Sequence, residues 1–122
     1  MSITKVRVGR AYDQPTDHDG TRVLVDRLWP RGLTKATAGL DEWCKQIAPS
    51  TELRRWYGHD PARFPEFRRR YRNELTGADQ AAALAHLRDL ARHRTLTLLT
   101  ASKEVAISAA TVLAELLQEP MR

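Results

Sequence analysis

Two short apolar runs, RVLVDRL (22–28) and TLTLLTA (95–101), most narrow the folds open to this chain. In the first, Val23, Leu24 and Val25 are consecutive, which suits a strand covered on both faces. The second is rich in Thr and Leu and ends at a polar Ser-Lys-Glu. The stretch between them is helical in pattern and far too long for a hairpin. The second run therefore returns to the first by a crossover, and strands so joined are parallel. The expected fold is α/β: a small, mostly parallel sheet of about three strands covered by helices, in one domain over 1–122.

A third strand is expected over 4–12, where TKVRVGRAY alternates through Val6 and Val8. The turn formers of DQPTDHDG (13–20) follow, with Asp17 placed to cap a single helical turn. DEWCKQIA (41–48) reads as a short helix closed by Pro49. Ser50 or Thr51 then caps the next helix, through Leu53, Trp56 and Tyr57. Asp60–Pro61 begins another, which runs to about Leu75 and buries Phe64, Phe67, Tyr71 and Leu75. Asp79 starts a helix to about His93, with Leu84, Leu87, Leu90 and Ala91 inward. The last helix, 105–118, is expected to bury Ala106, Ala109, Val112, Leu113 and Leu116.

Several function classes fall away. No apolar run approaches the roughly 20 residues that cross a bilayer, so no membrane role is expected. The first ten residues alternate in polarity, unlike a secretory signal. Cys44 is the only cysteine, so no internal disulfide forms and a reducing cytoplasm is the expected location. His18, His59, His86 and His93 lack ligand spacing, so no metal is expected. The glycines fit no nucleotide-binding loop, and no cofactor is expected.

A net charge of +5 favours acidic partners. One alternative is a nucleic-acid-binding accessory protein using Arg54, Arg55, Arg68 and Arg72. Arg70 has Glu66 and Glu74 at helical spacing, whereas Arg68 and Arg72 have no acid at i±4 and read as the arginines most free to bind. The aromatics beside them look buried rather than available for base stacking, so nucleic acid is not favoured. Another alternative is a protein-interaction module or homo-oligomer, which needs an exposed apolar patch.

Ligands of open parallel sheets bind beyond the carboxyl ends of the strands. There stand Tyr12 and Asp13 after the first strand, Asp26, Arg27, Trp29 and Arg31 after the second, and Ser102, Lys103 and Glu104 after the last. Arg27 and Arg31 suit a carboxylate or phosphate, with Lys103 adding charge. Asp26 is expected to orient the arginines, Trp29 to form a wall, and Tyr12 and His59 to stand at the mouth. The final helix would aim its positive end at the same place. A small anionic ligand is the favoured partner. His59 and Glu104 are the candidate proton carriers if the ligand undergoes hydrolysis or group transfer. The plain structural alternative is an ion network that merely closes the sheet.

The segments VRVGRAYD (6–13), RVLVDRLWPRGL (22–33), KQIAPSTELRRWYGHDP (45–61), EFRRRYRNEL (66–75) and LTLLTASKE (96–104) carry a resemblance over nearly the whole chain. The sequence resembles the YeaO-like branch of the domain-of-unknown-function 488 (DUF488) family. That resemblance implies a compact α/β domain and no established activity. It also implies a Lys-Asp pair after the last strand, followed by histidines. Here Lys103 is kept, Glu104 replaces the Asp, and Ile107 and Ala109 stand where the histidines are implied. An acid/base or metal role resting on those histidines would be missing.

Overall fold

The sheet has four strands and is parallel throughout: β1 (Val6–Arg10), β2 (Thr21–Leu24), β3 (Glu42–Trp43) and β4 (Leu96–Thr100), side by side in the order β1-β4-β2-β3. This is seen in a computed structural model describing residues 5–119; Thr4, first in the expected strand 4–12, lies outside them. The last strand in sequence is thus central in space. All five residues of β4 are buried, because strands flank it on both edges and side chains cover it on both faces.

The two faces are covered differently. Val23, Val25, Leu96 and Leu98 point into the larger core cluster, and Leu24 and Leu99 into a smaller one, as strand alternation requires. Helices cover the first face: α2 (Thr51–Tyr57), α3 (Phe64–Glu74), α4 (Ala78–His93) and α5 (Ala109–Gln118). Trp29, Leu33 and Leu40, from the chain between β2 and β3, cover the second together with Trp43 of β3. That chain includes a short helix that sequence reading did not assign, α1 (Lys35–Ala38), capped by Thr34 and ended by Gly39. Among the described residues no helix is long and apolar enough to cross a membrane.

The expected helix over 41–48 is not formed. Glu42 and Trp43 pair with β2 instead, and a single 3-10 turn follows at Lys45–Ile47. The Asp41 and Cys44 amides donate to the Arg22 and Leu24 carbonyls at 2.9 and 2.8 Å. Pro49 leaves too few residues for a self-supporting helix, while the open edge of β2 offers backbone partners. The expected helical turn capped by Asp17 is not formed, and residues 17–18 make only a plain turn. Asp19 takes the capping role, accepting from the Thr16 amide and hydroxyl at 3.0 Å each.

Asp60 caps the Ala62 amide as expected, but Pro61–Arg63 forms a 3-10 turn before α3 begins. Phe64, Phe67, Tyr71 and Leu75 are all buried. The Tyr71 phenol donates to the Ile47 carbonyl, tying α3 to the turn after β3. Tyr71→Phe would leave that carbonyl without its buried donor, at a cost of about 1–3 kcal/mol in a urea titration. An unchanged midpoint would mean that water replaces the phenol.

The final helix is shifted from expectation. A 3-10 turn at Val105–Ile107 is followed by an extended Ser108, and α5 starts only at Ala109. This break moves the buried stripe to Ala110, Val112, Leu113, Ala114 and Leu117. Ala106 is exposed, and Ala109 and Leu116 are half-buried. Nor are Arg68 and Arg72 free, because their partners lie across the helix interface. Arg68 pairs with Glu115 at 3.0 Å and Arg72 with Glu119. Spacing within one helix cannot reveal partners on another. Arg70 does pair with Glu66, but Glu74 bonds the amide and hydroxyl of Ser50 instead.

Candidate ligand pocket

The loop after β2 is held by its own side chains over the carboxyl ends of the strands. Val25 still donates to the Leu99 carbonyl, and Asp26 then turns toward β4. Its carboxylate accepts from the Thr100 hydroxyl at 2.9 Å and from the Ala101 amide at 2.7 Å. Asp26 is therefore a clasp between two strand ends and does not orient the arginines as expected. Arg27 donates to the Pro49 carbonyl at 3.2 Å, and the Trp29 indole to the Leu33 carbonyl at 2.5 Å. The Tyr12 phenol reaches across to the Arg31 carbonyl at 2.7 Å.

The opposite wall comes from α2. Ser50 caps this helix by accepting from the Leu53 amide, and Glu74 holds Ser50 in place. Arg54 and Tyr57, three residues apart, consequently share one face. Gly58 ends the helix in left-handed backbone, and His59 continues it with φ of 56°. A non-glycine residue is rarely found there, and such strain concentrates at functional sites. The turn brings the His59 ring to 5.8 Å from that of Tyr57.

Between these walls lies a cavity of about 370 Å³, in the range of small-molecule pockets. Tyr12, Asp26, Arg27, Trp29, Arg31 and His59 all line it. Lys103 and Glu104 do not; both are exposed on the loop after β4, where only Ser102 of the expected trio reaches the cavity. Sequence reading missed Arg54, Tyr57, Phe67 and Ser108. The i, i+3 pairing of Arg54 with a buried Tyr57 was the available signal for the first two. Ser108 and Ala109 bring the start of α5 to the pocket, four residues later than expected, and the first-turn amides of a helix lack intrahelical acceptors.

Charge in the pocket is unbalanced. Among the described residues, Arg27, Arg31 and Arg54 have no carboxylate at ion-pair distance; Arg10, Arg55, Arg88 and Arg94 lack one too but do not line the cavity, whereas Arg7, Arg22, Arg63, Arg68, Arg69, Arg70 and Arg72 each have one. The one carboxylate in the lining, Asp26, is occupied by the two strand-end donors. Burial pushes its carboxyl above the usual range. The Ala101 amide, the Thr100 hydroxyl and, more weakly, the nearby Arg54 and His59 side chains only partly pull it back. Two other hydroxyls are committed as donors to backbone: Tyr57 to the Ile107 carbonyl at 2.6 Å, and Ser108 to the Val105 carbonyl at 2.7 Å. Neither hydroxyl is hydrogen-bonded to a base that would make it a nucleophile. No group of three metal-ligating side chains occurs among the described residues.

A family model described as the inactive DUF488-N3 subclade matches residues 5–122. The chain belongs to the DUF488 family. An uncharacterised protein of Mycobacterium tuberculosis is 51% identical to this DUF488 domain over 114 residues, covering 93% of this chain and 94% of that one. An uncharacterised protein of Mycobacterium bovis matches to the same extent. The uncharacterised protein YeaO of Escherichia coli is 42% identical over 113 residues, covering 93% of this chain and 96% of YeaO. No solved structure matches this DUF488 domain.

Proposed function

We propose that this domain binds a small carboxylate- or phosphate-bearing ligand at the carboxyl ends of its strands and does not turn it over. The observation that carries this reading is the charge imbalance: three arginines line one cavity without a carboxylate partner. Guanidinium groups fit two anionic oxygens at once, and unpaired ones in a cleft concentrate anions there. The start of α5 adds positive potential from the same side.

Binding without turnover accords with the chemistry of the lining. Glu104, one candidate proton carrier, lies outside the pocket, which leaves His59 alone at the mouth. Ala109, at a position where the family resemblance implies a histidine, contributes only a methyl group. The subclade is also described as inactive. A nucleic-acid surface is less well supported, since Arg68 and Arg72 are bound to Glu115 and Glu119, and Arg54 belongs to the pocket. A separate protein-docking patch also lacks support. Among the described residues the exposed large apolar side chains are Tyr12 and Leu28, and both line the pocket.

Thermal unfolding in a panel of organic phosphates and carboxylates tests the reading. A ligand held at 100 times its Kd stabilises the fold by about 2.7 kcal/mol. The expected outcome is a saturable rise in Tm that disappears in Arg31→Gln, an exposed substitution that leaves the unliganded Tm nearly unchanged. Equal stabilisation of wild type and variant by every anion would reduce the effect to general salt action.

A further inference from the structure

The pocket is polarised from mouth to floor, and this bears on the shape of its ligand. Arg31, Arg54 and His59 are exposed at the mouth. The floor is made by Tyr57 and Phe67, 4% and 2% exposed, with Pro49 also buried. The two rings stack at 4.1 Å and cover one another, so the apolar surface open to the cavity comes mainly from Leu28 and the half-buried Trp29. Ala109 and Ala101 add small half-buried side chains, so space remains between floor and mouth.

A bare inorganic anion would use the arginines and leave the apolar surface of Leu28 and Trp29 in contact with water. Burying apolar surface there is favourable, whereas carrying a charge to it is not. Resting on the anion-binding reading above, we infer that the ligand is an organic anion with a planar, uncharged, aromatic body, bound charge-outward. Its anionic group lies between Arg31 and Arg54, and its ring enters toward Phe67 and Tyr57. Leu28, 63% exposed, and Trp29 flank the path inward.

Calorimetric titration with methyl phosphate and phenyl phosphate tests this, since the two monoesters carry the same charged group. In the wild-type protein the phenyl ester is expected to bind roughly tenfold tighter or more, from the apolar area it buries. Ala109→Leu places a good helix former at the first position of α5 and fills the space above the floor. It should remove the preference for the phenyl ester while leaving the methyl ester's Kd within about twofold. Equal affinities of wild type for the two esters would overturn the aromatic-body inference and leave the anion reading intact. Retention of the full preference in Ala109→Leu would also overturn it, because the ring would then lie elsewhere. Binding of neither ester would remove both.

Discussion

Asp19→Ala is expected to destabilise the domain by about 3–5 kcal/mol, lowering Tm by on the order of 10–20 °C. Asp19 and Arg22 are both buried, with their charged atoms 2.5 Å apart. Arg22 also donates to the Gly39, Ala38 and Asp13 carbonyls at 3.1, 3.2 and 3.3 Å. It thereby gathers the loop before β2 and the end of α1 around one guanidinium. Removing Asp19 leaves that charge buried without a counter-ion and frees the Thr16 donors. Gly20 follows with φ of +63°, and a β-carbon there would lie 2.1 Å from the Thr95 carbonyl oxygen. The loop is therefore pressed against Thr95, the residue just before β4, and has little room to relax. Replacing both charges, as in Asp19→Leu with Arg22→Met, should cost less than the two single losses summed. A urea titration reads all three, and a loss below about 1 kcal/mol for Asp19→Ala would show that water reaches Arg22.

The same contact has a pH signature. Burial alone would raise the Asp19 carboxyl, but the Thr16 amide, Arg22 and the Thr16 hydroxyl together hold it below its ordinary 3.8. The unfolded chain then binds more protons in that range. The contribution of Asp19 is complete above 3.8 and is lost as pH falls through the lower folded value. Acid unfolding of Asp19→Ala should lack this component.

Phe67→Ala carries the second large effect, about 3–5 kcal/mol. Phe67 is central to the aromatic group on the helical side of the sheet. Its ring centroid lies 4.1 Å from Tyr57, 5.7 Å from Tyr71 and 6.2 Å from Phe64. Truncation removes the contact between α2 and α3 that backs the pocket wall. The loss should therefore appear both in stability and in how firmly α2 presents Arg54. Denaturant midpoints measure the first, and hydrogen exchange of the α2 amides measures the second. A fall in stability with unchanged exchange in α2 would mean that Ser50 and Glu74 alone hold that helix.

The fold was legible where a side-chain pattern reported burial directly. Three consecutive apolar residues, Val23 to Val25, at the end of β2 announced two covered faces, and the Phe64, Phe67, Tyr71, Leu75 stripe announced the inner face of α3 and its cap. Reading failed where a competing backbone partner decided the outcome. Glu42 and Trp43 have no strong strand pattern and pair because β2 leaves an edge open. The register of α5 was missed because Ser108 interrupts a run that otherwise looks continuously helical. Long-range ion pairs such as Arg68 with Glu115 were invisible to spacing rules. In the pocket, residues on the β2 loop were legible from the parallel-sheet rule alone. Arg54 was read as surface because its i, i+3 pairing with Tyr57 shows a shared face but not that this face meets the strand ends.

The pocket reading requires that anions be taken up by three arginines lying far apart in sequence. Backbone amide chemical shifts, followed by NMR as phenyl phosphate is added, measure this residue by residue. Saturable shifts should cluster at Arg27, Arg31, Arg54 and His59 and leave Arg55 and Arg69 still. Small, unsaturating shifts spread over the exposed basic residues of α2 and α3 would contradict it.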